Sequence, residues 1–340
     1  MMKKIFAIGL IIFFLIGCSD DELSSVSYEN PEVALTIPTD FPELNSSVYT
    51  NMPTKYGVEL GKKLFHEKRL STDNSISCAS CHIQKHAFAD THSQAIGVEG
   101  RVGIRNTPPI QNLAFMNFYG WDGSKLRLEN QPLVPIITHE EMDSSILEII
   151  YKIEDNQDYR ELFQKAYGDQ EVTANRIYKS IAQFEYTLTS NNSKYDKIQR
   201  NEGEVFTEIE ALGYQVFQEK CVSCHSTTLF TDQSFRNIGF PINSDSNEAG
   251  RARVTGLEND YMSFRVPSLR NVEYTAPYGS FGQFKTLKEV LDYLDSGVLY
   301  AENLDPILKD NNNKISLSEE EKEHLIAFMK TLSDPDFINH

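Results

Sequence analysis

The sequence predicts a mainly α-helical chain built as two similar units with long loops, and three observations predict it. Apolar residues recur at helical spacing, as in Ile177, Ile181, Phe184 and Leu188, the stripe of one buried helix face. Alternating strand patterns are sparse. Finally, a pattern occurs twice: Leu60-Gly61-x-x-Leu64-Phe65 and Leu212-Gly213-x-x-Val216-Phe217 each precede a C-x-x-C-H arrangement. The glycine in each copy predicts a close approach of two helices. Phe65 precedes its first cysteine by 13 positions and Phe217 by 4, so the repeat reads as a duplication with an insertion in the first copy. A chain of 340 residues, 40% of them hydrophobic, is long enough for two cored domains at about 100–200 residues each.

Taken from the N-terminus, Lys3 and Lys4 precede an apolar run of 12 residues, Ile5 to Ile16. That run is too short for a stable spanning helix, which needs about 20 residues, and reads as an export signal. It ends in Leu15-Ile16-Gly17-Cys18, which resembles a bacterial lipobox. Residues 1–17 are then a lipoprotein signal peptide and Cys18 the lipidated first residue; the rival is an ordinary signal peptide with an incidental cysteine. Residues 18–51, with Pro31, Pro38 and Pro42, are expected to be a flexible tether. The first of the two similar units is expected over 52–200 and the second over 201–340. Ser318 and Glu321 form a capping-box signature ahead of Leu325, Phe328, Met329 and Leu332, and that last helix packs on either unit. The expected location is the periplasmic side of a bacterial envelope, lipid-anchored, at the outer membrane or cell surface among the options.

The chain carries 32 basic and 49 acidic side chains, a net charge of −17; loss of Lys3 and Lys4 makes it −19. A surface of that sign excludes a nucleic-acid binder, because phosphate backbones demand basic patches.

Apart from Cys18, the cysteines fall in two identical motifs, Cys78-Ala79-Ser80-Cys81-His82 and Cys221-Val222-Ser223-Cys224-His225. C-x-x-C-H is the attachment pattern of c-type haem. Two thiols on one helical turn reach the two vinyl groups of one porphyrin, and the adjacent histidine faces the iron. A thioredoxin-like pair would not normally carry the histidine twice. Zinc ribbons space their pairs at about 15–20 residues, whereas Cys78 and Cys221 stand 143 positions apart. Two cytochrome c-like domains, each with one covalent haem c, follow.

The loops carry a further resemblance. The set Ala87-Phe88-Ala89-Asp90, Arg105-Asn106-Thr107-Pro108, Trp121-Asp122-Gly123, Gln131, Pro135, Glu141-Met142, Arg265-Val266-Pro267-Ser268-Leu269-Arg270-Asn271 and Thr275-Ala276-Pro277-Tyr278 resembles the bacterial di-haem cytochrome c peroxidase family, MauG-type enzymes included. It covers about residues 54 to 332. The resemblance implies that His82 ligates the peroxidatic haem and His225 the electron-transferring one. It implies that Glu141 is the general base and acid that moves a proton between the two peroxide oxygens, a role carboxylates can fill. Gln131 is implied as a second distal-pocket residue, Trp121 as the indole between the haems, and Asn106 with the carbonyls of Thr275 and Pro277 as a calcium site. The implied partners are hydrogen peroxide and a small cytochrome c or cupredoxin donor, and the implied assembly is a homodimer. Membrane contact is through the lipid anchor alone.

The sequence departs from the family at three places. Val98 stands where classical members carry a loop histidine that caps the peroxidatic iron at rest, which predicts an enzyme needing no reductive activation. His86 and His92 are nearby but out of register, as loop or haem-edge residues. Leu294 stands where a methionine or tyrosine ligates the second haem, with Tyr293 one position away and Met262 as another candidate. Ser280 replaces the family's histidine after the Pro-Tyr turn. The leading function is thus peroxide reduction to water. The alternatives are MauG-like oxidation of a protein substrate and a non-catalytic di-haem electron carrier.

Overall fold

The computed structural model describes residues 28–241 and 248–339; the export segment and Cys18 lie outside them. The chain up to residue 200 carries helices α1 (Lys55–Phe65), α2 (Cys78–Cys81), α3 (Leu133–Ile137), α4 (Ile146–Glu154), α5 (Gln157–Tyr167), α6 (Ala174–Tyr186) and α7 (Lys194–Gln199). The rest carries α8 (Glu208–Lys220), α9 (Ala252–Thr255), α10 (Leu287–Ser296), α11 (Pro306–Lys309), α12 (Glu319–Lys330) and α13 (Pro335–Asn339). Among the described residues the sheet is one antiparallel pair, β1 (Phe235–Arg236) on β2 (Phe264–Arg265).

Two helix pairs repeat one design. Helix α1 crosses α6, and α8 crosses α12. A Cβ at Gly61 would stand 1.8 Å from the Ser180 carbonyl oxygen, and one at Gly213 1.9 Å from that of His324, so both crossings need a residue without a side chain. Behind each glycine the same three rings meet. Phe65 contacts Phe184 and Phe88 at centroid distances of 5.2 and 6.2 Å, and Phe217 contacts Phe328 and Phe230 at 5.0 and 5.6 Å. Gly213→Val is therefore expected to destabilise the protein by about 3 kcal/mol, the upper end of typical overpacking costs, read as a lower denaturation midpoint with an unchanged slope. The capping box at Ser318 forms as its spacing predicts, with Glu321 N–H donating to Ser318 Oγ at 3.1 Å and Ser318 N–H to Glu321 Oε2 at 2.8 Å.

The cores are largely separate. Ile177, Ile181 and Phe184 lie in the first, with Leu188 packed against it, and Phe217, Leu325, Phe328 and Leu332 in the second. Tyr195 of α7 already belongs to the second core, a few residues ahead of the expected boundary at 201. Helix α12 packs on α8, within the second unit, but the chain then crosses back: Phe337 of α13 joins the first core and meets Phe88 at 5.5 Å.

The tether expected over 18–51 is corrected for its described part. Residues from Tyr28 onward are tied down along the first unit. Asn30 Nδ2 donates to Ala166 O and to Thr54 Oγ1, both at 2.9 Å, while its Oδ1 accepts from Tyr56 N. Tyr28 Oη also donates to Ala166 O. Val33 N–H reaches Pro53 O at 2.8 Å, and Leu44 and Val48 are buried in the first core. Prolines set bends here without freeing the chain, because scattered anchors on both sides fix it.

Candidate di-haem site

Each C-x-x-C-H closes one helical turn, with His82 N–H donating to Cys78 O at 2.8 Å and His225 N–H to Cys221 O at 3.0 Å. The histidine rings are then oriented by the same device twice. Phe88 and Phe230 adopt left-handed backbone conformations, φ 61° and 54°, which turn their carbonyls toward the rings. His82 Nδ1 pairs with Phe88 O at 2.9 Å and His225 Nδ1 with Phe230 O at 3.0 Å. A carbonyl can only accept, so Nδ1 carries the proton and Nε2 keeps its lone pair for a metal. Burial lowers both histidine pKa values against the opposing pull of those carbonyls, which favours the neutral, ligating form.

The cysteines do not look like redox thiols. Burial pushes Cys81 and Cys221 up to about 12 and Cys78 higher still, whereas a redox or zinc pair needs thiolate character at neutral pH. Thioether formation removes the ionisation altogether. Next to the second motif a cavity of about 250 Å³ with mainly apolar walls opens among Cys221, Cys224, His225, Met262, Leu294 and Trp121. An apolar slot bounded by two cysteines and a histidine fits a covalently attached porphyrin.

At the first motif, Glu141 lies close enough to act electrostatically on both Cys78 and Cys81. Its backbone is pinned by the loop that carries Val98: Val98 N–H donates to Glu141 O at 2.8 Å, and a Cβ at Gly97 would stand 2.3 Å from Glu141 O. Burial, then the charge of Glu140, raises the Glu141 pKa, the shift that suits a general acid and base. Gln131 starts the same doubled-back segment, in which Met142 N–H reaches Pro135 O at 3.1 Å. Its Oε1 is buried without a hydrogen-bond partner, which leaves it available to a polar ligand. Val98 is fully buried and has no group able to ligate iron. His92 points to Asp90 at 2.9 Å with its ring largely exposed, and His86 sits in a single 3-10 turn.

Trp121 joins the two units. Its Nε1 donates to Asn106 O at 2.8 Å, its carbonyl accepts from Arg265 N at 2.8 Å, and it lines the cavity of the second motif. Asn106, Thr275 and Pro277 line that cavity too. Asn106 Nδ2 donates to the carbonyls of His92 and Ser93 at 3.3 and 3.2 Å, so its Oδ1 faces away from them. One amide oxygen and two carbonyls are donors that calcium accepts. At the sixth-ligand position the geometry separates the candidates: Leu294 and Met262 line the cavity, whereas the Tyr293 hydroxyl donates to Gly239 O and accepts from Leu299 N.

Two site residues escaped the sequence. Glu185 of α6 acts electrostatically on Cys78, is pushed up to about 8 by burial, and keeps Oε2 without a partner. It sits beside a helix stripe that reads only as core. Glu129, two positions before Gln131, has both carboxyl oxygens buried without a hydrogen bond and an ion pair to Arg127 at 3.6 Å.

Comparison with known proteins gives a consistent result. Residues 55–204 match the di-haem cytochrome c peroxidase family. The chain is 32% identical over 297 residues to the methylamine utilization protein MauG of Methylophilus methylotrophus, covering 86% of each. It is 36% identical over 285 residues to a cytochrome c551 peroxidase of Nitrosomonas europaea, covering 82% of this chain and 81% of the relative. A crystal structure of a MauG-like protein associated with microbial copper homeostasis superposes with a TM-score of 0.80 at 29% identity, over 90% of this chain and 97% of that one.

Proposed function

The chain belongs to the di-haem cytochrome c peroxidase family, and from that premise we propose that it reduces hydrogen peroxide to water with electrons from a small, basic redox protein. The family brings two haem c groups and an oxidoreductase activity of the peroxidase or MauG type. The observation that carries the narrower reading is Glu141, a half-buried carboxyl of raised pKa, held beside Cys78 and Cys81.

When bound, the haems supply the iron centres that take up electrons and reduce peroxide. The residues do the rest. His82 and His225 hold those centres through Nε2, because Phe88 O and Phe230 O hold Nδ1. Glu141 accepts a proton from one peroxide oxygen and returns it to the other, so that water can leave. Gln131 Oε1 accepts a hydrogen bond from peroxide and orients it. Trp121 occupies the junction between the units and offers an indole as an electron relay. A calcium ion on Asn106 Oδ1 and the carbonyls of Thr275 and Pro277 would hold that junction rigid. In this reading the chain works on the periplasmic side of the envelope, anchored through Cys18.

The test is peroxide-dependent oxidation of a reduced small cytochrome c by the haem-loaded protein, both as isolated and after half-reduction. Turnover is expected in the oxidised sample, because Val98 leaves no side chain to cap the first iron. Salt is expected to slow it, since a net charge of −17 steers a basic donor through fields that a Debye length of about 8 Å at physiological salt screens. No turnover in either sample, with peroxide still shifting the haem spectrum, would overturn this reading in favour of protein oxidation.

A further inference from the structure

Among the described residues two arginines are buried, Arg270 and Arg265, and of these Arg270 alone is paired with a carboxylate, as the half-buried Arg105 and Arg236 also are. Arg105 bonds Glu248 at 2.6 Å and Asp122 at 2.8 Å, Arg236 bonds Asp232 and Asp305 at 2.6 and 2.8 Å, and Arg270 grips Asp196 at 2.8 and 2.9 Å. Arg265 is 9% exposed, yet no carboxylate lies within ion-pair distance of it among the described residues. Its guanidinium has only two long contacts to carbonyls, 3.4 Å to Gly120 O and 3.5 Å to Val266 O. Burial without an anionic partner pulls its pKa down to about 10. An uncompensated buried charge is among the most costly features a fold can carry, so this one calls for an anion that the polypeptide does not supply.

Its position narrows the anion. Arg265 lines the same cavity as Cys221, Cys224 and His225. Lys220 acts electrostatically on Cys221 and Arg236 on Cys224, so the cysteine end of the cavity already has its own cations. Attachment of both thioethers at one edge of a porphyrin leaves its two carboxylates on the edge opposite. A second unpartnered group lines the same cavity: Ser280 Oγ is buried with no hydrogen-bond partner, while the Ser280 carbonyl accepts from Asn106 N at 2.8 Å. The backbone of Arg265 is fixed by its pairing with Phe235 and by the hydrogen bond from its N–H to Trp121 O.

We infer that Arg265 and Ser280 form the carboxylate-binding end of the second haem cavity, a site that ties the haem's acidic edge to the Trp121 junction. The inference rests on the two-haem reading. It has an electrical consequence: a guanidinium at the haem edge favours the reduced state, which carries one positive charge fewer. Arg265 thus helps to set the potential of this haem, whose sixth ligand departs from the family.

Spectropotentiometric titration of the full haem-loaded chain tests this, with the second-haem wave identified as the one that His225→Met displaces. Arg265→Met is expected to lower that midpoint by about 59 mV, a tenfold change in the one-electron equilibrium, while the first wave stays in place. Ser280→Ala is expected to shift it the same way by less, and Arg265→Lys to restore most of the wild-type value. An unmoved second wave in Arg265→Met, with both haems still attached by mass, overturns the inference. If that variant does not fold, an unmoved second wave in both Arg265→Gln and Ser280→Ala does so instead. A wild-type mass showing no haem on Cys221 and Cys224 would sink the two-haem premise, a separate result.

Discussion

Replacing Glu141 by glutamine is expected to cut peroxide turnover by about 10²–10⁴-fold, the range general acid–base groups contribute, with haem content and thermal stability close to wild type. Glutamine matches the shape of glutamate and keeps a hydrogen-bonding head, but it can neither take nor return a proton. The loss should therefore fall on turnover more than on peroxide binding. A pH profile separates this role from a structural one. The base must be ionised, and burial together with Glu140 raises the Glu141 pKa, so activity is expected to rise with pH through that raised value. Glu140 is exposed on the surface, and Glu140→Gln removes a like charge. It should lower the Glu141 pKa and move the acidic limb of the profile to lower pH, leaving the plateau rate unchanged. A Glu141→Gln variant with wild-type turnover would remove the carboxylate from the mechanism.

What could be read ahead of the structure was whatever rests on local pattern. The C-x-x-C-H spacing specifies its own helical turn, the paired Gly61 and Gly213 announce two tight crossings, and Ser318 with Glu321 writes out a helix start. The described part of the segment expected as a tether was misread for a physical reason: Asn30, Leu44 and Val48 anchor it one at a time, so it shows no period, and three prolines resemble a linker. The return of α13 to the first core was equally hidden, since Phe337 is one aromatic near a terminus. Glu185 and Arg265 were visible as residues, but their importance lies in partners they lack. A missing partner is a property of the whole fold, and no spacing in the sequence encodes it.

The same logic makes Arg270 the most consequential structural arginine. It is 1% exposed, holds Asp196 with two hydrogen bonds, and lies over the Phe41 ring at 4.6 Å. Its neighbour Asn271 donates to Ser190 Oγ and accepts from Asp334 N, while Ser190 Oγ donates to Asp334, so the pair sits in a polar seam stitching the two units together. Removing one partner of a buried pair costs about 3–5 kcal/mol, because the other charge remains buried alone; Arg270→Met is expected to fall in that range by chemical denaturation. Its pH dependence distinguishes this from simple loss of packing. In the wild type, burial pushes the Asp196 pKa up, but Arg270 and Ser193 outweigh it and hold the carboxyl below its usual value. That stability is present above the ordinary carboxylate range, near 3.9, and is lost as pH falls through the lowered value. In Arg270→Met the attraction is gone and burial dominates, so the Asp196 pKa rises and protonation relieves the strain. The gap between variant and wild type should then be widest near pH 7 and narrow toward pH 4. A gap that stays constant across that range would mean that Arg270 acts through its packing on Phe41, and that its charge contributes little.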